Sequence, residues 1–238
     1  MESAQGAYIP LHGGYHASPP KDRYYNLRAA IAQQMDASGI AVKYHHHEVG
    51  SPGQQEIEIP MMGLVKAADA VMLAKYITKM VAFQDEKVAT FMPKPLHGEA
   101  GNGMHVHQHL FKGDTNLFYD PDGYGYLSDT ALYYLGGLLY HGAAVLALTN
   151  PSTNSYRRLV PGYEAPVNAF YSLGNRSAAI RIPKYAKQPE TARFEFRPPD
   201  ATCNPYLALA VQLMAGIDGI QKKMDPTELG FGPIEEDA

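Results

Sequence analysis

The sequence has little cysteine, little charge and no long apolar run. Its single cysteine, Cys203, excludes an intramolecular disulfide and fits a reducing compartment. Charged residues make up 18% of the chain and the net charge is −4, so there is no electrostatic case for nucleic acid. No apolar stretch reaches the ~20 residues that span a bilayer. The richest candidate, Leu132–Leu148, carries Tyr, His and Gly and reads as a buried helix. The first six residues, Met1 to Gly6, show no basic-plus-apolar signal. Neither a CxxC nor an HExxH pattern occurs, so structural zinc and metalloprotease chemistry fit poorly. Internal repeats and low-complexity tracts are also missing.

What is present is enough for one large domain with a real core, 238 residues at 45% hydrophobic content. Residues 1–20 are loop-like. Asp22 to about Ser38 reads as a helix, with Leu27, Ile31 and Met35 on one face and Gly39 just past its end. Ile40–His47 reads as a strand, Lys66 to about Gln84 as a second amphipathic helix, and Val88–Met92 as a short strand. Lys112 to Tyr126 is loop-like, and Ser128 can cap a long apolar helix that stops at Asn150-Pro151. Residues 151–177 are too polar for core and too aromatic for a plain linker. Ala178–Pro183 and Ala192–Arg197 read as strands. Asn204-Pro205 opens a helix to about Lys223, and the tail from Gly230 is expected to fray. No composition shift marks a domain boundary, and the irregular order of strands and helices favours an α+β fold.

The chemistry gathers around Phe91–Leu110, FMPKPLHGEAGNGMHVHQHL. His105, His107 and His109 recur at every second position, so on a strand all three imidazoles share a face. That face suits a metal ion or a hydrogen-bonded stripe. The glycine-rich stretch before it, Gly98 to Gly103, lets backbone approach whatever the histidines face. Upstream, Glu48 and Glu56 flank VGSPGQQ. A straight strand would separate them by roughly 26 Å. Ser51-Pro52-Gly53 is turn chemistry, with Pro suited to the second and Gly to the third position of a type II turn. A reversal there brings both carboxylates to one point; without it they are surface glutamates of a solvated hairpin. In His45-His46-His47 the faces alternate, so at most two look toward such a site. Downstream, Arg193-Phe194-Glu195-Phe196-Arg197 puts Arg, Glu, Arg on one face and two phenylalanines on the other. With Arg157, Arg158, Arg176 and Arg181 these make a cluster of guanidinium groups, whose forks suit phosphate and carboxylate oxygens. Hard-cation ligands beside an anion clamp are what phosphoryl transfer needs.

Four stretches carry a specific resemblance: HHHEVGSPGQQEIE, TFMPKPLHGEAGNGMHVHQHL, NPSTNSYRRLVPGYEAPVNAFYSLGNRSAAIRIP and RFEFRPPDATCNPYLALAVQLMAGIDGI. From Gly13 to about Ile220 the chain resembles the catalytic domain of glutamine synthetase, bacterial class I type. The resemblance implies a curved antiparallel sheet, a partial barrel, with flanking helices, as in the glutamine synthetase/guanido kinase catalytic domain. It implies ATP-driven ligation of ammonium to glutamate through a γ-glutamyl phosphate, with two Mg²⁺ or Mn²⁺ ions in a cytoplasmic homo-oligomer built as a double ring of six. Matched position by position, Glu48 and Glu56 correspond to ligands of one metal and His105 and Glu195 to ligands of the other. His107, Arg176, Arg181 and Arg193 fall at ATP positions. Gly101, Arg158, Glu164 and Arg197 fall at glutamate positions. Glu164, in PGYEAP, matches the flap residue that shields the acyl phosphate from water, and Glu164, Arg158 and Arg176 are the catalytic candidates.

Departures from the family pattern are as specific. His109 stands where most relatives have serine, and Ala100 where an asparagine commonly meets glutamate. The family's N-terminal β-grasp domain, its Glu-x-Glu strand and its C-terminal helices are not matched. The expectation is therefore a catalytic domain over residues 1–238, incomplete at both ends, in which each ion lacks one carboxylate. Two other readings stay open: a γ-glutamyl-amine ligase of the same family, and a non-catalytic structural or regulatory relative.

Overall fold

A computed structural model of the chain describes residues 9–235. Two compact units divide it, one from Met1 to Asn102 and one from Gly103 to Ala238.

In the first unit, helix α1 (Tyr25–Ala37) packs on helix α2 (Leu64–Gln84) and on strand β1 (Tyr44–His47). The α1 face predicted from Leu27, Ile31 and Met35 is the buried one, closed by Ile40, Ala70 and Ile77. Gly39, at φ +84°, ends α1 as a residue without a Cβ can, and Ile40 N–H returns to Met35 O at 2.9 Å. β1 pairs antiparallel with β2 (Gln55–Glu58), setting His46 opposite Glu56 and His47 opposite Gln55. The predicted strand begins four residues late, at Tyr44, because pairing with β2 reaches no further than Glu58. Arg28 ties α1 to the hairpin. It donates to Asp22 Oδ2 at 2.8 Å and His45 Nδ1 at 2.9 Å, and also to Gln55 Oε1. No strand forms over 88–92. The apolar residues there have no partner edge, and Val88 is 94% exposed.

In the second unit, a four-stranded sheet runs in the order β3 (Val106–Gln108), β8 (Phe194–Phe196), β7 (Ala178–Arg181), β6 (Asn168–Ser172). It is antiparallel from β3 through β7 and parallel at the β6–β7 pair, and it does not close into a barrel. The expected loop after residue 112 contains a small hairpin, β4 (Phe111–Lys112) with β5 (Thr115–Asn116). Helices α3 (Asp129–Tyr140) and α4 (Gly142–Thr149) cover the sheet with α6 (Pro205–Lys222), and α5 (Thr153–Arg158) follows α4. Phe118, Tyr134, Leu138, Ile180, Phe194 and Phe196 fill the space between, all buried. A polar thread crosses this core. Tyr134 Oη donates to Gln108, whose Nε2 donates to Gln212 Oε1 at 2.8 Å.

Ser128 caps α3, accepting from Ala131 N–H, but the long helix expected from it breaks at His141 and turns by 73° into α4. At the break His141 meets Asp218 on α6 at 2.8 Å. No single helix among the described residues is long and apolar enough to cross a membrane. Asn204 caps α6 with Pro205 in the first turn, as its sequence predicts. The tail does not fray over its described part. Ile234 N–H donates to Tyr171 O at 3.1 Å, and Glu235 accepts from Ser172 Oγ at 3.1 Å and Leu173 N–H at 3.2 Å. Residues 236–238, like residues 1–8, lie outside the described residues.

Candidate active site

The first unit brings three donors to one face of the β1–β2 hairpin. His46 and Glu48 are two residues apart and so point the same way; Glu56 is opposite His46. One ligand atom from each lies within 4.8 Å of the others. The predicted chain reversal occurs, one residue earlier than expected. Gly53 N–H closes on Gly50 O at 3.2 Å, so Pro52 takes the third position and Gly53 the fourth. Burial pushes the Glu48 carboxyl up to about 7, against a 2.7 Å bond from Val49 N–H and with the charge of Glu56 adding to the rise. His46 Nε2 stands 3.6 Å from Glu56 Oε1. Its Nδ1 meets the carbonyl of His47 at 3.0 Å, and a carbonyl can only accept, so Nδ1 carries the proton. In the neutral ring that leaves the Nε2 lone pair toward the carboxylates. Of the histidine run only His46 joins the cluster. His45 accepts from Arg28, and His47 Nδ1 meets Glu48 O at 2.7 Å.

Gly101 belongs to the same unit. Its loop is fixed by Asn102, whose N–H donates to Pro93 O at 2.7 Å and whose Nδ2 donates to Met92 O at 2.8 Å.

The second unit builds a polar face on the sheet. Because His107 pairs with Glu195 and Arg181 pairs with Glu195, the alternation that buries Ile180, Phe194 and Phe196 puts these three on the other side. Glu195 is the hub, 3% exposed. Its Oε1 accepts from His105 Nδ1 at 2.9 Å and Arg197 Nη1 at 2.8 Å, and its Oε2 lies 3.2 Å from Arg181 Nε. Burial works to raise this carboxyl, but His105, Arg197 and Arg181 outweigh it and hold it well below the usual range. Burial and Arg197 push His105 down. A neutral His105 donating from Nδ1 presents a lone pair at Nε2.

The arginines differ in surroundings. Arg193 donates to Thr191 O at 2.9 Å, reaches His107 Nδ1 at 3.4 Å, and lies over the Tyr185 ring. Arg176 meets Glu164 Oε2 at 2.9 Å on the surface, while Arg197 Nη2 donates to Glu164 O at 3.0 Å. Glu164 itself sits at φ +54°. Arg158 is enclosed by backbone, donating to Pro198 O at 2.7 Å, Pro199 O at 3.2 Å and Arg197 O at 3.0 Å, and burial pushes it down to about 10. It frames the end of β8. His109 lies edge-on to Phe111, its ring centroid 4.6 Å away.

A family model described as glutamine synthetase, catalytic domain, matches residues 1–237. The chain belongs to the glutamine synthetase catalytic-domain family. It is 52% identical over 237 residues to the glutamine synthetase of Streptomyces filamentosus, covering 100% of this chain and 50% of that protein. Against the glutamine synthetase of Frankia alni the identity is 55% over 237 residues, covering 99% and 49%. A cryo-EM structure of Plasmodium falciparum glutamine synthetase superposes with a TM-score of 0.83 at 37% identity, covering 90% of this chain and 41% of that one. The chain thus spans about half the length of the curated relatives it matches.

Glutamine synthetase chemistry calls for divalent ions, and the donor chemistry fits them. Two carboxylates and an imidazole in mutual reach suit Mn²⁺ or Mg²⁺, whereas a soft metal would want thiolate. Among the described residues this is the one such group of three. Reading the sequence by family position omits His46. The signal that finds it is its spacing of two from Glu48, once β1 is paired.

Proposed function

We propose that this chain is the catalytic-domain part of a glutamate–ammonia ligase, with residues 1–238 acting as one domain. The observation that carries this is the convergence of His46, Glu48 and Glu56 on one hairpin face. Two buried or half-buried carboxylates that crowd each other are stabilised by a divalent cation between them. Glu48 and Glu56, joined by His46, would hold one Mg²⁺ or Mn²⁺; His105 and Glu195 would hold a second. Bound there, such ions would supply neutralisation of phosphate charge.

The remaining residues bind, orient and exclude water. Arg176, Arg181 and Arg193 take the phosphates of ATP, and His107 the nucleotide. Arg158, Arg197 and the backbone of Gly101 take glutamate. The γ-carboxylate attacks the terminal phosphorus and ADP leaves; ammonia then attacks the acyl carbon, phosphate leaves, and the nitrogen loses a proton. Glu164 closes over the acyl phosphate, which water would otherwise hydrolyse. The family resemblance supports a cytoplasmic homo-oligomer of two six-membered rings.

The test is ATP-dependent γ-glutamyl hydroxamate formation from glutamate and hydroxylamine with Mn²⁺. It is run on this chain and on one extended to the length of its relatives. Product from the extended chain supports the reading. Silence from both, with product from a larger amine, moves it to a γ-glutamyl-amine ligase; silence with every amine moves it to a non-catalytic relative.

A further inference from the structure

The hairpin that carries the metal-site donors is bonded through its turn to the loop that carries Gly101. Gln54 makes the main bridge. Its Oε1 accepts from Gly50 N–H at 2.9 Å, which holds the turn. Its Nε2 donates to Gly101 O at 2.8 Å and to Asn102 Oδ1 at 2.9 Å. Ser51 makes a second tie, donating from Oγ to Glu99 Oε1 at 2.8 Å. Glu99 is buried, and Lys94 Nζ donates to its carbonyl. The loop is thus held on one side by Pro93 and Met92 and on the other by the turn.

We infer that Gln54 and Ser51 are positioning residues through which a cation on the hairpin orders the glutamate loop. The inference rests on the reading that Glu48 and Glu56 hold a divalent ion and that Gly101 meets glutamate. Glu48 follows β1 and Glu56 lies within β2, so the two carboxylates stand at the two ends of the turn. Without a cation their repulsion loosens those ends; with one, both are drawn to a point. Glu48 N–H bonds Gln54 O at 2.9 Å, so the residue that feels the ion is bonded to the residue that holds the loop. The path from Glu48 to Gly101 is a contiguous run of hydrogen bonds. Coupling of this kind is reciprocal: glutamate on the loop tightens the ion by the factor by which the ion tightens glutamate.

The experiment is hydrogen exchange of the backbone amides of residues 99–102, with and without Mn²⁺, in the full-length gene product. Mn²⁺ binding is followed separately by calorimetry. Gln54→Glu keeps the acceptor for Gly50 and removes the N–H donor that holds the loop. Ser51→Ala cuts the second tie and changes no charge. In the wild type Mn²⁺ is expected to slow loop exchange about fivefold or more. In Gln54→Glu the ion still binds, the slowing is lost, and KM for glutamate rises more than kcat falls. Ser51→Ala shows part of the same loss. Equal Mn²⁺ protection in wild type and both variants overturns the inference. A wild type that binds no Mn²⁺ by calorimetry removes the metal reading, and this inference with it.

Discussion

Arg197 donates Nη1–H to Oε1 of Glu195, two residues earlier, at 2.8 Å, with both side chains 4% exposed. Removing one member of a buried ion pair leaves the other uncompensated, at a cost of about 3–5 kcal/mol. Here the hub also faces Arg181 and His105. Glu195→Ala is therefore expected to lower unfolding free energy by ~3–5 kcal/mol in a urea titration. Glu195→Gln, which keeps the volume and an acceptor, should cost clearly less. Equal midpoints for wild type and Glu195→Ala would mean that solvent replaces the carboxylate without penalty.

For His46 the effect that tests the proposed site is on metal, beyond what the loss of a buried ring costs the fold. His46→Ala deletes one of three donors and should weaken Mn²⁺ binding about tenfold, or ~1.4 kcal/mol. His45→Ala, on the opposite face of β1, should leave Mn²⁺ affinity within about twofold even if loss of the Arg28 bond softens the hairpin. Calorimetry on both variants separates the faces. A His46→Ala protein that binds Mn²⁺ as the wild type does would take His46 out of the site.

These contrasts show which parts of the chain speak locally. The helix that starts at Asn204-Pro205, the apolar face of α1 and the Arg–Glu–Arg face of β8 follow from caps and periods, which act within a few residues. The polar face of the sheet follows too, because one alternation decides both sides. What is not legible depends on distant partners. The apolar run from Asp129 to Thr149 reads as one helix; at the break, His141 meets Asp218, 77 residues away. Val88–Met92 has strand-like residues but no edge to pair with. The tail looks frayed by composition, yet it finds the edge of β6. His46 falls between: its alternation is readable, but its membership of the cluster depends on the β1–β2 register.

Gly137 and Gly219 mark where α3 and α6 touch backbone to backbone. A Cβ on Gly137 would lie 2.2 Å from Ala215 O, and one on Gly219 would lie 2.2 Å from Tyr133 O. Neither obstacle is a side chain that can swing away. Gly137→Ala and Gly219→Ala are each expected to destabilise by ~1–3 kcal/mol through overpacking. The double variant should cost less than the sum, because the first methyl already parts the helices. Strict additivity in thermal melts would show that the helices do not move as a unit.

Asp218 gives the pH prediction. Its carboxyl is held below the ordinary aspartate value, first by the His141 bond and then by Lys222, whose Nζ is 3.0 Å away. A depressed folded-state pKa stabilises above the unfolded value, about 4, and the gain is lost as pH falls through the folded one. Asp218→Asn should therefore melt lower than wild type at pH 7, and the gap should shrink as pH falls below about 4. The pair is at the surface, so added salt should also narrow the gap. A gap that does not shrink as pH falls below about 4 would assign the effect to the hydrogen bond to His141 rather than to charge.

Glu164 offers a way to separate fold from function. A non-glycine residue in the left-handed region costs roughly 1–2 kcal/mol, which glycine avoids. The ion pair to Arg176 is exposed on both sides and contributes little. Glu164→Gly at φ +54° should therefore melt at the wild-type temperature or slightly above it. If the side chain closes over the acyl phosphate, the same change should cut hydroxamate formation on the order of 10²-fold, the scale set by a misplaced catalytic geometry. It should also raise the phosphate released per hydroxamate formed, because water reaches the intermediate. A variant that is stable, slow and uncoupled supports the flap role. One that is stable and fully active removes Glu164 from the catalytic set and leaves it as a surface residue at a turn.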